Sequence, residues 1–348
     1  SENYFIKLLL HEINHILSFN EDLFGLYVDP LTNKKLGIDK VLKSKIVDNL
    51  NRTMIITPKV IQVAKKHFSC IDLDGIELEN QGSSGTANNH WESRIMLGDF
   101  MQASSYMDNI VSDISLALFE DSGWYKVNYY TGGLFKFGKN QGCGFLNSKC
   151  ITNSKSNFPG YFCDESNALM CSSSKMARGF CYMRENVNEI KGEYRYFNST
   201  NSNYIGFKDA DYCPVINSEN DYALERYFAT SCTMGMVAYP QFAETIGKNS
   251  ACFISSLITR NTKHYNELVN RNRAICYSYK CDYKEITYNV TINEEEIKCP
   301  KNGGKVKIEK YDGIFYCTDF NSICTKLEDC EDSVDCIKKK ILHYDREY

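Results

Sequence analysis

The sequence predicts an α+β fold: a first part, residues 1–135, with helices around an apolar core, followed by a mostly β or irregular region stapled by disulfides. Three observations lead there. Of the 16 cysteines only Cys70 precedes Cys143, and all the others fall between Cys143 and Cys336, the distribution of a core-stabilised domain followed by a staple-stabilised one. Apolar residues recur at helical spacing before Tyr129, whereas after it Gly, Asn, Ser and Tyr become frequent and the periodicity fades. Hydrophobic residues make up 43% of the 348 residues, which excludes collagen-like, coiled-coil and disordered chains.

Asn3 to Phe19 carries apolar residues on nearly every face, which predicts a buried helix ended by Asn20 and the acidic pair after it. Val41 to Leu50 is a short amphipathic segment. The break Ile55-Ile56-Thr57-Pro58 precedes a helix from Pro58 to His67, with proline at its start. Gln81 to Asn89 is a loop by composition, and a further helix from Val111 to Asp121 stops at Gly123. The rest is expected as a cysteine-rich domain over 136–275 and a small cysteine-rich module over 276–348. Cys70, with no cysteine near it, should be tethered to a distant one, and the even count predicts eight pairs.

Forty Lys and Arg against 44 Asp and Glu give a net charge of −4 and no basic field for nucleic acid. No apolar run approaches the roughly 20 residues of a membrane helix. The cysteines and the sequons at Asn51, Asn198 and Asn289 indicate the secretory pathway and an extracellular or cell-surface location. The chain opens Ser1-Glu2-Asn3-Tyr4, so an export signal is expected upstream, and its polar end at Lys338-Lys339-Lys340 lacks an anchor signal.

His11-Glu12-Ile13-Asn14-His15 is an H-E-x-x-H motif. On a helix, positions 11 and 15 share one face a turn apart, so both imidazoles reach one ion, and Glu12 can hold a water bound to it. With 6 His in the chain, about 0.006 such motifs arise by chance, so two core histidines with a buried carboxylate are the weaker reading. Catalytic zinc needs a third protein ligand. The continuation H-x-x-G-x-x-H would place Gly at 18 and His at 21, where this chain has Ser18 and Glu21. The remaining histidines are His67, His90, His264 and His343; His67 reads as a helix C-cap or surface residue, and His264 and His343 as solvated.

The residues around His90 resemble a known family. Gly75-Ile76-Glu77-Leu78-Glu79-Asn80-Gln81-Gly82, Gly85-Thr86-Ala87, His90-Trp91-Glu92-Ser93-Arg94, Asp99-Phe100-Met101 and Leu118-Phe119-Glu120-Asp121-Ser122-Gly123-Trp124-Tyr125 are similar to leishmanolysins, cell-surface zinc metalloproteases in which an insertion separates the H-E-x-x-H helix from the third histidine. Asp211-Tyr212-Cys213-Pro214-Val215 and Cys299-Pro300-Lys301-Asn302-Gly303-Gly304 resemble the family's cysteine-rich region, so the likeness covers essentially the whole chain. It implies the C-terminal part of a metzincin-like zinc protease domain, with His90 as third ligand and Met101 in the turn beneath a single Zn²⁺. Glu12 is then the general base for hydrolysis of protein or peptide substrates. Two departures stand out. Ser18 replaces a glycine, and only ten residues precede His11, so the family's N-terminal sheet subdomain is expected as a missing segment of the same protein or a cleaved partner chain. The rival reading is a catalytically weak or inactive surface or adhesion protein on the same scaffold.

Overall fold

The computed structural model describes residues 2–324 apart from 48, 84, 105–108, 130–134, 167, 187–189, 198–202, 218–229, 234–237 and 264. Asn198, His264, Cys330, Cys336, Lys338 to Lys340 and His343 lie outside the described residues. The chain is α+β, as the sequence predicts, and it divides into two compact units.

The first unit comprises residues 1–164 and 183–215. It opens with helix α1 (Glu2–Leu17) and a single turn α2 (Glu21–Phe24), whose Asp22 N–H is accepted by the Asn20 side chain. The amphipathic segment after Val41 becomes strand β1 (Leu42–Val47), paired antiparallel with β2 (Leu50–Ile55), and β3 (Ile76–Glu77) adds to the other edge of β2. Helix α3 (Pro58–Phe68) buries Val60, Ala64 and Phe68, one residue per turn, and ends on Ser69 in the left-handed conformation. After the short α4 (Ser93–Met96), α5 (Asp113–Asp121) packs on α3, and its Asp121 carboxylate accepts the Val60 N–H at 2.9 Å. Gly123 has φ +77°, and a Cβ there would meet the Val28 carbonyl at 2.1 Å, so only glycine fits where α5 ends. Cys70–Cys143 ties the end of α3 to the start of α6 (Cys143–Asn147), bridging 73 residues as the isolation of Cys70 predicts, and Cys150–Cys213 closes the unit further along. Trp91, Phe19, Phe24, Tyr27, Phe68 and Phe145 are fully buried in its core.

Helix α1 departs from the expected buried helix. Ile6, Leu8, Leu9, Leu10, Ile13, Ile16 and Leu17 are exposed, Ile16 by 77%. At 100° per residue all of these but Leu8 form one stripe about 120° wide, centred opposite His11 and His15. The described residues half-bury the two histidines and leave the stripe open.

The second unit, whose described residues fall within 165–182 and 216–324, has an antiparallel six-stranded sheet as its centre. Its strands are β4 (Ser250–Ser255), β5 (Arg273–Asp282), β6 (Thr287–Ile292), β7 (Glu295–Cys299), β8 (Gly304–Val306) and β9 (Phe315–Cys317), in the order β7-β6-β5-β4-β9-β8. Phe253, Tyr277, Tyr288 and Phe315 pack together on it. Cys252 and Cys276 sit opposite each other on β4 and β5, and each is bonded elsewhere, to Cys171 and Cys232. Cys281–Cys324 ties β5 to the segment after β9, and Cys299–Cys317 joins β7 to β9. All fourteen described cysteines are oxidised, which suits an extracellular or secreted protein. Among the described residues no helix is long and apolar enough to cross a membrane.

Candidate metal centre

His11 and His15 project from one face of α1, and the third histidine arrives from the loop expected between Gln81 and Asn89. That loop is anchored at both ends. Asn88 donates its N–H to Glu79 O and Glu79 its own to His90 O, while the segments at Leu78 and Trp91 form an antiparallel bridge. The Asn89 side-chain oxygen accepts the Glu21 N–H at 2.9 Å, binding the loop to α2. His11, His15 and His90 therefore meet, and they are the one group among the described residues whose ligand atoms could share an ion.

The hydrogen bonds define the chemistry. His11 Nδ1 lies 2.6 Å from Phe100 O, His15 Nδ1 2.8 Å from Phe19 O and His90 Nδ1 2.9 Å from Thr86 O. A carbonyl oxygen only accepts, so each Nδ1 carries the proton and each neutral ring keeps its Nε2 as a lone pair. Those lone pairs converge: His11 Nε2 is 3.1 Å from His15 Nε2 and 3.2 Å from His90 Nε2. Three acceptors with no hydrogen between them repel, and a cation at their centre removes the repulsion. Burial holds His90 down to about 4 and lowers His11 as well, the carbonyl contacts opposing it only in part. The rings of His11 and His90 are thus neutral at pH 7 and ready to ligate.

Glu12 is exposed beside His11, on the side of α1 open to solvent. Met101 is fully buried, and its carbonyl accepts the Trp91 N–H at 3.0 Å. Ser18, in place of the expected glycine, is not among the residues with positive φ and meets no steric cost; its buried hydroxyl bonds Tyr27 OH at 2.8 Å. His67, half-buried in the last turn of α3, donates Nε2–H to Phe137 O at 2.8 Å and stacks on Phe135. Asn51 is exposed on β2, and the Asn289 amide donates to Glu296 at 3.0 Å.

Beside the segment bearing His90 lies a buried charge network to which the sequence gives no role. Glu77 accepts from Arg52 Nη1 at 2.6 Å and faces Arg94 Nη2 at 3.5 Å, while Asp211 lies 3.7 and 3.6 Å from the same two guanidinium groups. Glu92 caps α4 and accepts from Asn80 at 3.0 Å. Burial, with Asp209 and Asp211 nearby, pushes Glu79 up to about 8. In the sequence Glu77, Glu79 and Glu92 carry only a motif likeness; the Arg52, Arg94 and Asn80 side chains that link this cluster to Asp211, more than 100 residues further on, are a tertiary arrangement.

A profile of the leishmanolysin family matches residues 1–335. The chain is 26% identical to a leishmanolysin homolog of Crithidia fasciculata over 96% of its own length and 48% of that protein. It is 25% identical to a leishmanolysin-like peptidase of Drosophila melanogaster and 27% to one of Caenorhabditis elegans, covering 92% of this chain in each case and 55% and 56% of the relatives. The chain thus spans about half the length of the curated relatives it matches. A profile match along nearly all of the chain, on a fold that brings the H-E-x-x-H histidines to His90, means that this chain belongs to the leishmanolysin family.

Proposed function

We propose that the protein is a zinc endopeptidase acting outside the cell or at its surface. The observation that carries this reading is the convergence of three Nε2 lone pairs, each ring fixed by a carbonyl at its Nδ1. His11, His15 and His90 would hold the ion and leave the fourth position of a catalytic site for water or substrate. Zinc held by these residues would supply Lewis-acid chemistry, polarising a scissile carbonyl and lowering the pKa of a water to about 7. Glu12 takes the proton of the attacking water and passes it to the leaving amine, so that the C–N bond breaks as a neutral amine departs. Met101 serves as a buried floor, since a thioether is a poor partner for zinc beside three imidazoles. The open stripe of α1 is covered by protein outside these residues, a segment of the same polypeptide or a partner chain. Asn51, exposed on β2, is suited to carry a glycan, and Asn198 and Asn289 are the further sequons.

Glu12→Gln removes the base and keeps the ligands. Peptide cleavage is expected to fall by about 10²–10⁴-fold at unchanged zinc stoichiometry. A wild-type protein that binds zinc and cleaves no peptide would favour the adhesion reading instead.

A further inference from the structure

Asp99 is fully buried two residues before Met101, and nothing in the proposed chemistry uses it. Its Oδ1 accepts the Met101 N–H at 2.7 Å. That N–H belongs to the same planar peptide as the Phe100 carbonyl, and the Phe100 oxygen is the one facing His11 Nδ1 at 2.6 Å. Because C=O and N–H of a trans peptide are rigidly opposed, gripping the N–H end fixes the direction of the carbonyl, and the carbonyl fixes the ring.

The same carboxylate reaches the third histidine by a second route. Ser115 Oγ donates to Asp99 at 2.9 Å and accepts Trp91 Nε1–H at 2.8 Å, and the Trp91 backbone N–H, part of the His90–Trp91 peptide, donates to Met101 O at 3.0 Å. Ser112 N–H adds a further donor to Asp99 Oδ2 at 3.3 Å from the start of α5. One buried carboxylate therefore joins α5, the turn at 99–102 and the segment bearing His90.

We propose that Asp99 is a positioning residue for the metal centre, setting the ring of His11 through the Phe100–Met101 peptide and holding the His90–Trp91 segment through Ser115 and Trp91. This rests on reading the histidine triad as a metal site. Its substitution should act on metal affinity and ligand geometry beyond any loss of stability, because the contact made to His11 is one peptide away. Outer partners of metal-bound histidines contribute about 10–100-fold to affinity.

The test is Co²⁺ titration of the full chain against a competing chelator, with the visible d–d spectrum recorded, for wild type, Asp99→Asn, Ser115→Ala and Val60→Ala. Val60→Ala opens a cavity in the same core on α3 and serves as the stability control. Asp99→Asn puts an amide where several donors converge and should weaken Co²⁺ binding by about 10–100-fold and alter the spectrum. Ser115→Ala should do the same to a smaller degree, while Val60→Ala lowers the melting temperature at wild-type affinity and spectrum. Asp99→Asn with wild-type spectrum and affinity within about 2-fold overturns the proposal, as does a Val60→Ala loss of affinity equal to that of Asp99→Asn. Should Asp99→Asn fail to fold, Ser115→Ala decides by the same criterion. A wild-type protein that binds no Co²⁺ or Zn²⁺ refutes the metal-site reading itself, a result distinct from the failure of Asp99 alone.

Discussion

At the scale of single residues, the three histidines differ from the rest of the chain in having their Nδ1 atoms spoken for by carbonyls and their Nε2 atoms turned towards one another. His90→Ala leaves two imidazoles, and zinc affinity should drop by more than about 100-fold; stoichiometric zinc in that variant, measured by metal analysis after dialysis, would refute the assignment. His67 provides a separate measure of burial. Its folded pKa is held near 4 by burial, below the ordinary 6.5. A histidine shifted down contributes stability that is complete above its unfolded value and is lost as the pH falls through the folded one. Unfolding free energy should accordingly fall between about pH 6.5 and 4, and His67→Gln, which can still donate to Phe137 O, should flatten that limb. Denaturant titrations of both proteins across this range give the difference curve, in which the shared contribution of His11 and His90 cancels.

At the scale of elements, α1 has two opposed duties. One face presents His11 and His15, and the other is a stripe of Ile6, Leu9, Leu10, Ile13, Ile16 and Leu17 open to water. Burying each such side chain is worth roughly 1.5–3 kcal/mol, and contiguous apolar patches of this kind mark interfaces. Leu9→Gln together with Ile16→Gln should reduce self-association of the isolated chain, read by light scattering at fixed concentration. Metal affinity should stay within about 2-fold, since both positions point away from the histidines. Undiminished self-association would show that the stripe is not the adhesive surface.

At the scale of the whole molecule, each unit combines an apolar core with disulfides that join segments distant in sequence, across 73 and 63 residues in the first and 81 and 44 in the second. Such cross-links act largely by limiting the unfolded chain, and long loops give the larger effect. Alkylation under denaturing, non-reducing conditions followed by mass spectrometry should add at most two labels, because only Cys330 and Cys336 fall outside the fourteen oxidised cysteines. Three or more labels would contradict the oxidised framework.

What the sequence determined by itself is the part of the protein governed by short-range geometry or by composition. The helix at Asn3–Phe19, that at Pro58–His67 and that ending at Gly123 follow from 3.6-residue periodicity, a proline start and a glycine stop, and the structure places them within a few residues of those bounds. The pairing of His11 with His15 is likewise local, two residues one turn apart. His90 is not local: 75 residues separate it from His15, and only family likeness singled it out from His67. Tertiary structure alone decided the rest. It turned the amphipathic segment after Val41 into a strand, because β2 offers it a partner and half-buried periodicity in a short segment does not distinguish helix from strand. It gave Ser18 a place without strain, drew His67 under Phe135, and brought Asp211 to Arg52 and Arg94. Asp99 was likewise joined to Trp91 through Ser115. Each of these depends on which segments meet in three dimensions, a free-energy balance of burial and paired charge that no window along the chain contains.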